Sequence, residues 1–83
     1  MTSGRVIFVS SNSAMLVVQH DDGFALVELI GDEGEVSTGD VVSGDWSAVA
    51  GEPLLLSDGR KLDAYFQGNW PSPDAPMAMA RKH

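Results

Sequence analysis

The sequence has no cysteine, few basic residues and no long apolar run. Without cysteine, a chain has no disulfide framework, no thiolate zinc site and no thiol nucleophile. No stretch approaches the roughly 20 apolar residues that a membrane helix needs, and the first residues lack the pattern of a secretory signal. Together these absences favour a cytoplasmic protein with no membrane partner.

Basic side chains are outnumbered by acidic ones, 5 against 12, which gives a net charge of −7. An acidic surface repels phosphate backbones and so disfavours nucleic acid as a partner. Acidic surfaces also simply keep small domains in solution, and charge alone does not choose a partner. The length of 83 residues and the apolar content of 43% predict one small folded domain.

Short β-branched and aromatic runs separated by turn residues predict an all-β fold. The clearest pair of runs flanks Asp21-Asp22-Gly23, where the Asp-Gly step is typical of a tight β-hairpin. A second Asp-Gly hairpin is expected at residues 57–59, and a solvated loop at residues 31–40. The predicted strands cover residues 5–9, 14–20, 24–30, 41–50, 54–56 and 61–67. Such a series predicts a small antiparallel barrel of five or six strands over residues 1–68.

The last segment, residues 69–83, contains three prolines in its first half. Proline-rich stretches resist regular structure, so we expect a flexible, disordered tail. Asp74 is a candidate N-cap for a short helix through residues 77–82, but so short a helix needs a surface to pack on.

Three short segments resemble the oligonucleotide/oligosaccharide-binding (OB) fold in its S1-like or cold-shock-like form. They are Gly4-Arg5-Val6, then Val17-Val18 before Asp22-Gly23-Phe24, and Gly39-Asp40-Val41-Val42. The resemblance implies an OB-like barrel, and S1-like and cold-shock domains carry aromatic clusters among Lys and Arg on the binding face. Here the surroundings of Phe24 are acidic, so the resemblance supports the fold better than the function.

Strand alternation sorts the aromatic residues between the core and the surface. Phe66 and Trp46 are expected in the core, whereas Phe24 and Tyr65 are expected to face outward. With the basic residues Arg5, Arg60 and Lys61, these two aromatic side chains form a candidate surface for single-stranded nucleic acid.

The second and third strands are apolar on both faces, although a barrel has only one interior. The third strand directs Phe24, Leu26 and Ile30 outward, and this outer row must be covered or displayed. The tail with Met77 and Met79, a second copy of the chain, or another protein could cover it. A β-bulge that hides these residues is an equally open alternative.

No motif typical of a catalytic, metal-binding or phosphate-binding site stands out in the sequence. His20-Asp21-Asp22 lies on a tight turn where side chains diverge, which argues against a metal site. Neither histidine has a nucleophile that the sequence can place beside it, and no phosphate-binding glycine loop is present. We therefore expect no enzyme, no cofactor and no catalytic or metal-binding residue.

The sequence thus predicts a non-catalytic OB-like binding module that contacts protein through an apolar outer strand face, with self-association as the simplest case. A single-stranded nucleic-acid-binding domain is the alternative. The candidate binding residues are Arg5, Phe24, Leu26, Ile30, Arg60, Lys61 and Tyr65.

Overall fold

The computed structural model describes residues 2–31 and 34–82. Six strands and one helix follow in chain order: β1 (Thr2–Val9), β2 (Met15–His20), β3 (Gly23–Leu29), β4 (Val41–Gly44), β5 (Gly51–Leu56), β6 (Lys61–Trp70) and α1 (Asp74–Ala80). The strands close into an antiparallel barrel in the order β1-β2-β3-β6-β5-β4. The predicted small all-β antiparallel barrel is therefore confirmed.

The β2–β3 hairpin has the tight turn that its Asp-Gly step predicts. His20 pairs with Gly23 across a two-residue loop, and the register continues without a shift to Met15 opposite Glu28. Gly23 has a φ of +140°, and a β-carbon there would lie 2.4 Å from the carbonyl oxygen of Trp70. Only glycine fits this position, because both the backbone conformation and the neighbouring strand exclude a side chain.

The barrel interior contains the residues that alternation assigns to it. Phe66 and Trp46 are buried and their rings are stacked, with centroids 5.6 Å apart. Val36, in the connection between β3 and β4, is also buried in this cluster, although the sequence predicts a solvated loop there. A single apolar residue among glycines and carboxylates is enough to anchor that connection.

The fourth predicted strand, residues 41–50, is too long. β4 ends at Gly44, because Asp45 begins a turn: its Oδ1 accepts hydrogen bonds from the backbone N–H and the hydroxyl of Ser47. Aspartate side chains commonly compete with the sheet in this way. β5 begins at Gly51, earlier than expected, and includes Pro53, which pairs with Asp63.

The segment after the barrel also differs from the sequence prediction. β6 continues to Trp70, and the next residues form α1, which buries Pro76 and Ala80. Asp74 is the first helical residue and does not cap the helix, because Pro73 occupies the N-cap position and no side chain caps it. The guanidinium of Arg81 lies 5.7 Å from the ring centroid of Phe8, a cation–π contact that holds the helix end to β1. Whether this segment is mobile in solution stays a prediction.

A second apolar cluster lies outside the barrel, beneath α1. Its buried members from β2 and β3 are Met15, Val17 and Leu26, and Ala80 of α1 packs onto them. The partly buried residues Ile7, Phe8, Phe24, Trp70 and Met77 surround it. The β-bulges lie in the neighbouring strands β1 and β6, so the outer row keeps its outward direction, and the helix covers the part of it at Leu26.

Candidate functional site

Four of the predicted binding residues fall into two groups: Leu26 and Phe24 are buried or partly buried, whereas Ile30 and Tyr65 are exposed to solvent. Leu26 is only 2% exposed beneath α1, and Phe24 is partly buried at the margin of the same cluster. Ile30 is 51% exposed and Tyr65 is 41% exposed. The structure therefore leaves the far end of the outer row accessible and hides the rest.

Ile30 and Tyr65 belong to one surface, which we call the Ile30–Tyr65 face: Ile30, Pro53, Asp63 and Tyr65. The backbone N–H of Ile30 donates to the carbonyl oxygen of Asp63 at 2.9 Å. Asp63 also pairs with Pro53, and Tyr65 pairs with Gly51, so β6 carries the centre of the face with β5 beside it. Sheet register thus places these residues next to one another.

A depression of about 370 Å³ opens in this face. Ile30 and Pro53 supply apolar walls, and Asp63 supplies a carboxylate. Glu52 also borders the depression, but it pairs with the buried Ala64, so its side chain lies on the opposite side of β5 from Pro53. Gly51 leaves the floor open, since a β-carbon there would meet only the carbonyl oxygen of Ala64, at 3.9 Å. The geometry suits an apolar side chain that arrives with a polar or charged neighbour.

The carboxylates of Asp63 and Glu52 have no partner within the part of the chain that the structure describes. Neither Glu52 nor Asp63 forms a side-chain hydrogen bond or an ion pair there. Glu28, on the neighbouring strand, accepts a hydrogen bond from Nε2 of Gln67 at 3.1 Å. Sequence reasoning did not name Pro53 or Asp63 as site residues. It began the fifth strand at Leu54 and so assigned no face to Pro53, and it gave Asp63, on the outward side of the sixth strand with Tyr65, no binding role.

The candidate nucleic-acid surface contains three basic residues, two of which are hydrogen-bonded within the protein. The Nε of Arg60 donates to Asp58 at 2.9 Å and its Nη1 to Glu35 at 3.2 Å, so both donor groups are paired with carboxylates. Arg5 lies on β1, where its Nη1 donates to the carbonyl oxygen of Gly39. Lys61 directly follows Arg60 and is exposed at the start of β6. That these three residues bind nucleic acid together with Phe24 and Tyr65 stays a prediction.

The contact between Asp58 and Arg60 changes the pKa of both groups. The backbone N–H of Arg60, and then its guanidinium, donate to the Asp58 carboxylate and lower its pKa below the ordinary value. The same carboxylate, and then Glu35, raise the pKa of Arg60. Both groups are exposed to solvent, so this pairing shapes the hairpin tip and adds little to stability.

A second depression, of about 260 Å³, lies at the barrel end near the β2–β3 turn. The ring of His20 stacks on Trp46 there, with centroids 5.5 Å apart. Its Nε2 donates to Oδ1 of Asn69 at 2.7 Å, while its Nδ1 accepts the backbone N–H of Asp22. Trp46 is 4% exposed, and its indole N–H is buried without an acceptor among the described residues.

Both ring nitrogens of His20 are thus hydrogen-bonded within the protein. Across residues 2–31 and 34–82, no group of three potential ligands is placed to hold a metal ion. Among the residues that the structure describes, no helix is long and apolar enough to cross a membrane.

No family model matches the chain, and neither a curated protein nor a solved structure is significantly similar to it.

Proposed function

We propose that this chain is a non-catalytic protein-interaction module that binds its partner through the Ile30–Tyr65 face. The observation that carries this proposal is the exposure of two large apolar side chains, Ile30 and Tyr65, beside an open depression. Exposed apolar groups that cluster on one surface are typical of protein interfaces.

The covered part of the outer row has a supporting role in this proposal. Leu26 and Val17 pack under α1 and hold the helix, and β3 runs from that cluster to Leu29, directly before Ile30. The strand that carries the open end of the row is therefore fixed in place before a partner binds. A preformed surface lowers the entropic cost of association.

The alternative is an OB-like domain that binds single-stranded nucleic acid. The barrel is consistent with the OB-like architecture that the sequence resembles, but the paired Arg60 and the net charge of −7 weigh against phosphate contacts. Phosphate binding depends on free cationic side chains and weakens steeply with salt. We therefore retain protein binding as the proposed function.

Site-specific photo-crosslinking in living cells tests the proposal. In one variant, the photoreactive residue p-benzoylphenylalanine replaces Tyr65. In a matched control, it replaces Asp21 in the turn between β2 and β3, far along β3 from Ile30. We expect a discrete crosslinked protein band from position 65 only, and we expect Ile30→Ser to remove that band, because the apolar contact is lost. Circular dichroism of the purified variants checks that each one is folded.

Three results would contradict the proposal. They are the absence of any band from position 65, equal bands from both positions, or a position-65 band that Ile30→Ser leaves unchanged. A labelled oligonucleotide provides the parallel measurement for the alternative. Saturable binding at low salt that disappears at high salt would favour the nucleic-acid domain instead.

A further inference from the structure

We propose that α1 is a redox-sensitive cover, which hydrogen peroxide releases from the barrel by oxidising Met77 and Met79. The proposal does not rest on the Ile30–Tyr65 face. It concerns the contact between α1 and the apolar cluster on the outer side of β2 and β3. Release of the helix exposes Val17 and Leu26 of that cluster to solvent.

The contact between α1 and the barrel depends on two small residues and two methionines. Pro76 and Ala80 are buried, and Met77 packs against the cluster from its margin. Met79 lines a depression of about 280 Å³, which Leu26 also lines. The two methionines are the only large apolar side chains in the seven residues of α1. A change in their polarity therefore acts directly on the contact that holds the helix.

These two methionines are accessible to an oxidant, whereas Met15 beneath the helix is protected. Met79 is 42% exposed and Met77 is only partly buried, but Met15 is 3% exposed. The susceptibility of sulfur-containing side chains to oxidation follows their exposure. Because the chain contains no cysteine, no thiol within the protein competes for peroxide. The helix thus carries the methionines that peroxide reaches first among these three.

Peroxide converts each thioether to a sulfoxide in a two-electron step. The sulfur attacks one oxygen of hydrogen peroxide, an S–O bond forms as the O–O bond breaks, and the other oxygen leaves as water with both protons. The sulfur is oxidised and the peroxide is reduced. A sulfoxide is polar, so it either gives up hydrogen bonds to water or leaves the apolar contact. Oxidation therefore favours the separation of α1 from the cluster.

Helix α1 has little stability of its own with which to resist this separation. It is seven residues long and no side chain caps its N-terminus. A helix this short is unstable in water without a surface to pack on. The barrel closes through its six strands alone. The helix can therefore open locally while the strands stay paired.

Peroxide treatment of the full-length protein tests the proposal. Peptide mapping by mass spectrometry follows the oxidation of each methionine, and we expect Met77 and Met79 to react at least about tenfold faster than Met15. Methyl NMR with a soluble gadolinium chelate follows the exposure of the cluster. Paramagnetic broadening of the Val17 and Leu26 signals should rise at least about threefold in the oxidised protein.

The double variant Met77→Leu with Met79→Leu is the matched control. Leucine keeps an apolar side chain of similar volume without the sulfur, so the same treatment should leave Leu26 protected. Methionine sulfoxide reductases that act on both sulfoxide epimers provide the reversal. They should restore the protection of Leu26 in the oxidised wild-type protein.

Four results would overturn the proposal. The first is oxidation of Met15 as fast as that of Met77 and Met79. The second is continued protection of Leu26 in protein that carries a sulfoxide at both helical positions. The third is equal broadening of Leu26 in the double leucine variant after the same treatment. The fourth is broadening of the interior residue Leu16 as strong as that of Leu26, because the barrel itself would then have opened.

Discussion

Replacing Leu26 with alanine is expected to lower the free energy of unfolding by about 2–5 kcal/mol. Leu26 faces away from the barrel interior, yet it is only 2% exposed, because α1 and Trp70 close over it with Met15 and Val17. Truncation at this position removes buried apolar contacts and leaves a cavity that the short helix cannot fill. The loss should therefore be as large as that of a residue inside the barrel.

Ile30→Ala is the matched control for this measurement. Ile30 follows β3 and is directed outward like Leu26, but it is 51% exposed and α1 does not cover it. We expect a change within about 0.5 kcal/mol. Urea unfolding of both variants, followed by circular dichroism, compares the two. Similar small losses of stability for both variants would mean that α1 does not bury Leu26 more than it buries Ile30.

Gly44→Ala has the second large expected effect, a destabilisation of about 1–3 kcal/mol from overpacking. A β-carbon at residue 44 would lie 2.7 Å from Cζ and 3.0 Å from Cε2 of Phe66. The ring cannot withdraw easily, because Phe66 is buried and stacked on Trp46. This close approach explains the glycine in β4.

The control for Gly44 is Gly51→Ala in the neighbouring strand. A β-carbon at residue 51 meets only one atom within 4 Å, the carbonyl oxygen of Ala64 at 3.9 Å. Since alanine also restricts the unfolded chain, we expect a neutral result or a gain of about 0.4–1 kcal/mol. Differential scanning calorimetry of the two variants measures the contrast. Equal stabilities would show that the Phe66 ring is not packed against Gly44.

Much of the barrel could be predicted from local chemistry. The Asp-Gly step at residues 22–23 required a tight turn, and alternation along β2 and β3 separated the interior residues Leu16 and Val27 from the outward Val17 and Leu26. These patterns are reliable because backbone conformation and strand period determine them directly.

Helix α1 could not be predicted from turn residues and strand alternation. A seven-residue segment with proline at its third position has little helical stability alone, so its structure depends on the apolar row that it covers. Strand apolarity on both faces indicated that something must cover β2 and β3. It did not indicate whether the cover came from this chain or from another.

The candidate site was only half predicted. Ile30 and Tyr65 were identified because each is a large apolar residue at an outward strand position. Pro53 and Asp63 become neighbours of Ile30 only through the pairing of β3 and β5 with β6, which sequence periodicity does not contain. Long-range register therefore supplied the part of the site that sequence reasoning missed.

The central claim is that α1 covers Val17 and Leu26 on the outer side of β2 and β3, while Ile30, at the end of the outer row, stays open to solvent. Methyl NMR with a soluble paramagnetic gadolinium chelate measures this directly, since signals broaden according to their exposure to solvent. The structure predicts strong broadening of the Ile30 methyl signals and protection of those of Leu26 and Val17. Broadening of Leu26 and Val17 to the same degree as Ile30 would contradict it.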